Sequence, residues 1–291
     1  MHYQIYNAVL DKYGGPILFS LFGLLLVLEF RRPLRRWTQS IFRRVIINAA
    51  VSVPAFLVLR LGLIPAELAA AYWAQRAHFG VLNIVPMPPW LHGALSFLFM
   101  DYLLYAWHVL SHKVPPLWRF HNVHHTDLDL SVSTALRFHF GEMFLSGLFR
   151  VAGVLLLGAG AVGVLVYEVV FEGSVAFQHS NWRLPCRLER LLTWVIITPR
   201  MHGIHHSIVA ADSNSNFTNL FNIWDRLHGT LRLNVPQGQV TIGVPAYRDQ
   251  HELTFLPLLL LPFRRQKEYW RLPDGARPER GEPGDRTQLA E

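Results

Sequence analysis

The chain has 291 residues, 51% of them hydrophobic and only 16% charged, with a net charge of +7. A soluble domain usually carries about a quarter charged residues, so this chain is apolar enough to bury a large core or to live in lipid. Its one cysteine, Cys186, excludes an intramolecular disulfide, and its basic balance points to nucleic acid or an anionic membrane surface until the charges are placed.

The first apolar run covers residues 16–30 (PILFSLFGLLLVLEF). It is short against the 17–25 residues or so that span a bilayer, but Tyr13 and the flanking glycines extend it. A secretory leader is the rival reading. Only one Lys and one Asp precede the run and no small-residue cleavage site follows, so a retained helix is expected. Arg31, Arg32, Arg35, Arg36, Arg43 and Arg44 come next, between two apolar runs. That position favours the positive-inside rule over nucleic-acid binding and puts the loop in the cytoplasm.

Residues 45–64 form the second run, kinked by Pro54, and 66–80 read as an interfacial segment on the opposite side. The third span, residues 91–110, returns toward the cytoplasm and leaves His108 and His112 at its cytoplasmic end. A polar stretch, 111–142, precedes the apolar residues 143–171, which are too long for one simple span and carry Gly158, Gly160 and Gly163. A single long helix would put later histidines on the wrong side, so a hairpin bent at the glycines is expected. Four divisions follow: 1–90 membrane helices and basic loop, 91–231 the histidine-bearing region, 232–262 a peripheral segment, and 263–291 a charged, Pro/Gly-rich tail expected to be disordered. The expected fold is an all-α integral membrane protein with about four transmembrane or hairpin helices, capped by a cytoplasmic histidine-rich helical region.

The stretch 108–125, HVLSHKVPPLWRFHNVHH, holds five histidines, and MHGIHH at 201–206 repeats its end. Residues three or four apart share a helix face. His108 and His112 make one such pair, and His121, His124 and His125 make a triplet copied by His202, His205 and His206. Thr198–Pro199 reads as an N-cap with Pro in the first turn. A lone His on an apolar face is more often a bonded core residue, but eight in HxxxH, HxxHH and HxxHH arrays point to metal. His179 is a further candidate, whereas isolated His139 stays open. His2, His78, His92, His228 and His251 read as structural or surface. Eight or nine ligands exceed one ion's needs, so two metals are implied, and imidazole alone does not choose between iron, zinc and copper. Carboxylates should orient the rings. Asp101 inside a span, or Glu142, could serve, with Asp127 and Asp129 as alternatives. For Asp101 an interhelical hydrogen bond is the competing role, and for Asp127 and Asp129 helix capping.

These motifs in this order resemble the membrane fatty acid hydroxylase and sterol desaturase superfamily. The matching residues are His108-x3-His112, WRFHNVHH at 118–125, LSVSTALRFH at 130–139, His179, TPRMHGIHH at 198–206 and NFTNLFNIWDRLHGT at 216–230. Within it, the chain resembles bacterial members and the alkylglycerol monooxygenase branch. The resemblance implies a diiron centre held by His108, His112, His121, His124, His125, His179, His202, His205 and His206. It also implies O2 as co-substrate, a membrane lipid as substrate and electrons from a separate protein. His228 falls where many members have an aromatic residue, which argues against a ligand. The reaction implied is hydroxylation or desaturation of an acyl, alkyl or sterol-like chain, in a bacterial inner membrane and with no nucleic-acid partner. A histidine-rich metal carrier would need polar groups along several spans, where Asp101 is nearly alone, and a zinc hydrolase would ordinarily show HExxH, which is absent.

Overall fold

A computed structural model describes residues 10–280 and is all-helical, with no named strand among the described residues. His2 and residues 281–291 lie outside them. Among the described residues five helical stretches are long and apolar enough to cross a membrane, against an expectation of about four transmembrane or hairpin helices. The first, α1 (Gly15–Arg31), starts with Pro at its first turn. Ser40 then caps α2 (Ile41–Leu57), and a wider-wound stretch, Val58–Leu63, leads into α3 (Ile64–Arg76). Pro54 and Pro65 flank that stretch; each lacks the N–H that would continue the α-helical ladder.

The segment 66–80, expected at the interface, instead begins as helix α3. It packs through Leu68, Ala70 and Ala71 into the main apolar core, with Met100, Leu104, Val154, Val164 and Tyr167. Its small alanines let it lie close against α6 (Phe140–Leu157) and α7 (Ala161–His179). Those two form the expected hairpin. Gly158 ends α6 in the left-handed region at φ 71°, and a side chain there would strike Phe79 O and Asn83. Gly163 lets α7 close on α4 (Pro89–Lys113), since a Cβ would lie 2.8 Å from that of Ser96.

Beyond the long helices the chain makes short ones: α5 (Pro115–His125), α8 (Cys186–Leu192) and α9 (Pro199–His205). Large side chains on the outer helix faces stay exposed, among them Ile17, Phe19, Phe42, Phe56, Leu61, Leu148 and Leu156. Such a belt is unfavourable in water and is at home in hydrocarbon. The tail differs from expectation as far as Arg280. Trp270 stacks on Trp118 of α5 and Arg280 pairs with buried Asp212, so aromatic and ionic contacts hold a segment whose composition reads as disordered.

Two of the six loop arginines also turn inward. Arg44 is buried and pairs with Asp127 at 2.8 Å, and Arg35 donates to Pro199 O at 2.9 Å. The second contact explains the glycine of MHGIHH, because the Arg35 guanidinium lies where a side chain at Gly203 would stand.

Candidate metal centre

Among the described residues nine histidines, the eight singled out by spacing and His179, converge into two groups. His108, His112, His121, His125 and His205 form one; His124, His179, His202 and His206 form the other. Within each group, one nitrogen per residue lies within 4.8 Å of all the others. All are buried except half-buried His112.

The groups are interleaved along the chain. Helix α5 begins with Pro115 at its first turn, and Thr198 caps α9 by accepting from Met201 N. On each helix the i,i+4 pair goes one way and the third histidine the other. His121 and His125 enter the five-histidine group while His124 enters the four. His202 and His206 enter the four while His205 enters the five. Two short helices thus each serve both groups, with α4 completing one and the end of α7 the other.

Hydrogen bonds at the outer ring nitrogens set the tautomers. His108 Nδ1 donates to Phe217 O at 2.6 Å, His205 Nδ1 to Ser215 O at 2.7 Å, and His179 Nδ1 to Val175 O at 2.7 Å. His121 Nδ1 donates to Glu142 Oε1 at 2.7 Å. A neutral imidazole has one N–H, so each of these four turns a lone pair inward from Nε2. Burial first, then neighbouring imidazoles, pushes His124, His125, His202 and His206 well below the usual histidine range. Burial also pulls His205 down to about 3. These rings are neutral at neutral pH, as ligation requires.

The inward nitrogens crowd together. His125 Nε2 lies 3.2 Å from both His112 Nε2 and His121 Nε2. In the other group, His179 Nε2 lies 2.9 Å from His124 Nε2 and 3.0 Å from His202 Nε2. His179, neutral with its proton on Nδ1, has none left for such contacts, and His108 Nε2 and His205 Nε2 have no hydrogen-bond partner. His179 Nε2 has one lone pair but faces both His124 Nε2 and His202 Nε2, so one N–H cannot satisfy both contacts, whereas a shared cation would. With metal–nitrogen bonds of about 2.1 Å, ligands at right angles stand about 3.0 Å apart, which matches. The residues present fit two metal ions.

Other sequence candidates find different work. Glu142 is buried and its Oε1 accepts from His121 Nδ1. Asp101 binds Trp224 Nε1 at 2.7 Å, Phe221 N at 3.2 Å and the Tyr167 hydroxyl at 3.3 Å, so it takes the interhelical role. Asp127 pairs with Arg44, and Asp129 accepts from Thr38 and Gln39 before α2. His139 stands outside both groups: its Nδ1 accepts from Gly141 N to cap α6, and its Nε2 faces Leu259 O. His228 stacks on Tyr102 and Tyr105. The backbone carbonyls of Val175, Ser215 and Phe217 could not be foreseen, because any residue type supplies a carbonyl. Asp225 is buried and accepts from Phe217 N at 2.9 Å and Thr218 N at 3.0 Å, holding that loop against His108; its Trp-Asp context was the available signal.

A cavity of about 570 Å³ opens beside both groups. His108, His121, His124, His179 and His202 reach it, and Ala49, Val53, Phe56, Leu104, Leu136, Phe138 and Val175 give it an apolar wall. Volume and lining suit one aliphatic ligand.

Residues 93–230 match the family model for fatty acid hydroxylases, which covers every one of the nine histidines. That stretch is a fatty acid hydroxylase domain. Its hydroxylase domain is similar to human cholesterol 25-hydroxylase, with 32% identity over 158 residues, 53% of each chain. Ornithine lipid hydroxylase OlsE of Rhizobium tropici is 33% identical over 177 residues, 59% of this chain and 50% of that one. Alkylglycerol monooxygenase of Xenopus tropicalis is 28% identical over 143 residues, 49% of this chain and 30% of that one. The matched hydroxylase region thus spans about half the length of the first two relatives. No solved structure matches the chain. Family and apolar helices together make it an integral membrane protein.

Proposed function

We propose that the chain is a non-haem diiron, O2-dependent lipid hydroxylase in a bacterial inner membrane, with its metal centre on the cytoplasmic face and its electrons supplied by a separate protein. The observation that carries this is the meeting of nine imidazoles, in two groups, with an apolar cavity. A metal carrier would have no use for the cavity. Relatives named as hydroxylases and a monooxygenase favour oxygen insertion over desaturation.

Iron held there would supply what no side chain can, the activation of O2 for attack on an inert C–H bond. His108, His112, His121, His125 and His205 would hold one ion, and His124, His179, His202 and His206 the other. Glu142 holds the His121 ring in one orientation and brings negative charge to a donor set that is otherwise neutral. Phe217, Ser215 and Val175 carbonyls keep three more rings from rotating. Leu104, Phe138 and Val175 exclude water and lay an acyl, alkyl or sterol-like chain along the histidines.

The test is metal analysis of the purified protein, with mass spectrometry of lipids from cells carrying wild type or His124→Ala. We expect iron in the wild type and a gain of about 16 mass units in one lipid class, both lost in the variant. Protein that holds only zinc when grown with ample iron, and turns over without O2, would refute the reading.

A further inference from the structure

The cavity beside the histidines has a second polar end that the candidate centre does not use. Glu142, Ser146 and Arg150 stand four residues apart on one face of α6, and all three line the cavity. On α7, Glu172, Val175 and His179 line it as well. At about 1.5 Å of rise per residue, Arg150 lies about 12 Å along its helix from Glu142, and Glu172 about 10 Å from His179. The Arg150 guanidinium sits 5.9 Å from the centroid of the Phe171 ring, so the two helices bring these groups to one level, deep among the long helices.

Part of that end is closed. Arg150 is buried and pairs through Nε with Glu67 of α3 at 2.5 Å and through Nη2 with Glu168 of α7. Those ion pairs tie three helices together and need no ligand. Three other groups are left over. Arg150 Nη1 takes no part in the pairs with Glu67 and Glu168 and has no other partner among the described residues. Glu172 is half-buried and makes no hydrogen bond or ion pair among the described residues. The Ser146 hydroxyl has no partner there either, although Ser146 is only 4% exposed. Ser52 shares the wall, but its hydroxyl is spent on Ala49 O at 2.7 Å, and the Asn219 amide is spent on Leu104 O at 3.3 Å. Polar groups left unpaired against an apolar cavity are costly, and an ionisable one at membrane depth marks a binding function by default.

The mixture selects the ligand. Arg150 Nη1 can only donate, an ionised Glu172 can only accept, and Ser146 does both. An ammonium would offer donors alone and would face Arg150. A carboxylate or phosphate would offer acceptors alone and would face Glu172. A hydroxyl donates and accepts, and it brings no charge into the apolar cavity.

We propose that Glu172, Ser146 and Arg150 bind a hydroxyl group already present on the lipid substrate, and that their separation from the histidines fixes which carbon is oxidised. This rests on the lipid hydroxylase reading above. Carbon–carbon bonds of about 1.52 Å meeting near 111° advance an extended chain by about 1.25 Å each, so 10–12 Å corresponds to about eight to ten bonds. Glu172 and Ser146 are positioning residues: they hold the far end of the chain and touch no reacting atom.

The test uses the full chain in nanodiscs of zwitterionic lipid, with radiolabelled 1-dodecanol as the probe. Equilibrium dialysis against empty nanodiscs reads binding with or without iron, and unlabelled dodecane, dodecylamine and dodecanoate compete. Dodecanol should compete best. Glu172→Leu with Ser146→Ala should weaken dodecanol binding by about tenfold and leave dodecane binding unchanged, which also shows that the variant is folded. Glu172→Gln keeps an acceptor and should recover part of the loss. Iron-loaded protein, reduced with dithionite, freed of excess and then given O2, reads position. One O2, two electrons and two protons convert one C–H bond into an alcohol with release of one water. In wild type the new hydroxyl should fall about eight to ten bonds from the first, and in the double variant it should scatter along the chain. Equal binding of dodecanol and dodecane, tighter binding of the amine or the carboxylate, or wild-type binding by the double variant would overturn the proposal. Selective dodecanol binding by a protein that takes up no iron, or yields no diol from any alcohol, would uphold the hydroxyl site and fail the oxygenase reading instead.

Discussion

Glu142→Gln separates the two halves of the centre. Glu142 is buried and contacts one histidine, His121, through Oε1 at 2.7 Å. The amide keeps the shape and one acceptor but removes the charge. A hydrogen bond to a charged group contributes about 1.5–3 kcal/mol. Loss of the group that orients a ligating histidine costs about 10–100-fold in metal affinity, or about 1.4–2.8 kcal/mol at a tenfold per 1.4 kcal/mol. The two estimates agree. His121 belongs to the five-histidine group alone, and no carboxylate bonds the other group among the described residues. The substitution should therefore loosen one metal equivalent and leave its neighbour. Timed removal of iron by a chelator, followed by metal analysis, reads this directly. Wild type should release two equivalents slowly; the variant should release one about 10–100-fold more readily. Equal loss of both equivalents, or of neither, would refute the link from Glu142 through His121 to a single group.

Gly158→Ala should lower stability by about 1–3 kcal/mol, because the new side chain meets Phe79 O and Asn83 and the backbone sits at φ 71°. Thermal unfolding in detergent checks it, and an unchanged midpoint would mean that the α6–α7 turn relaxes freely. In Asp225→Asn, an amide nitrogen faces backbone N–H groups that the carboxylate now accepts from, at a cost of about 1–3 kcal/mol. Because Phe217 O orients His108, that variant should also weaken iron at the five-histidine group; chelator release at the wild-type rate would contradict the route through the loop.

The histidine spacing put all three imidazoles of each triplet on one side of a short helix, since residues three and four apart are neighbours at 3.6 residues per turn. Apolar runs and glycines likewise announced the long helices and the hairpin, because hydrocarbon demands length and a reversal demands φ freedom. Tertiary structure decided how the imidazoles are shared. By order along the chain, residues 108–125 look like one half of a centre and 201–206 like the other. Packing instead places α5 and α9 so that each divides its triplet between both groups, and only the return of α7 brings His179 to the second. The carboxylates were undecided for the same reason. Glu142, Asp101 and Asp127 are alike as sequence, but helix α6 turns one to His121, the α4–α7 contact turns another to Trp224, and Arg44 claims the third. A side chain's type sets what it can bond, and the partner it meets depends on which elements the whole fold presses together.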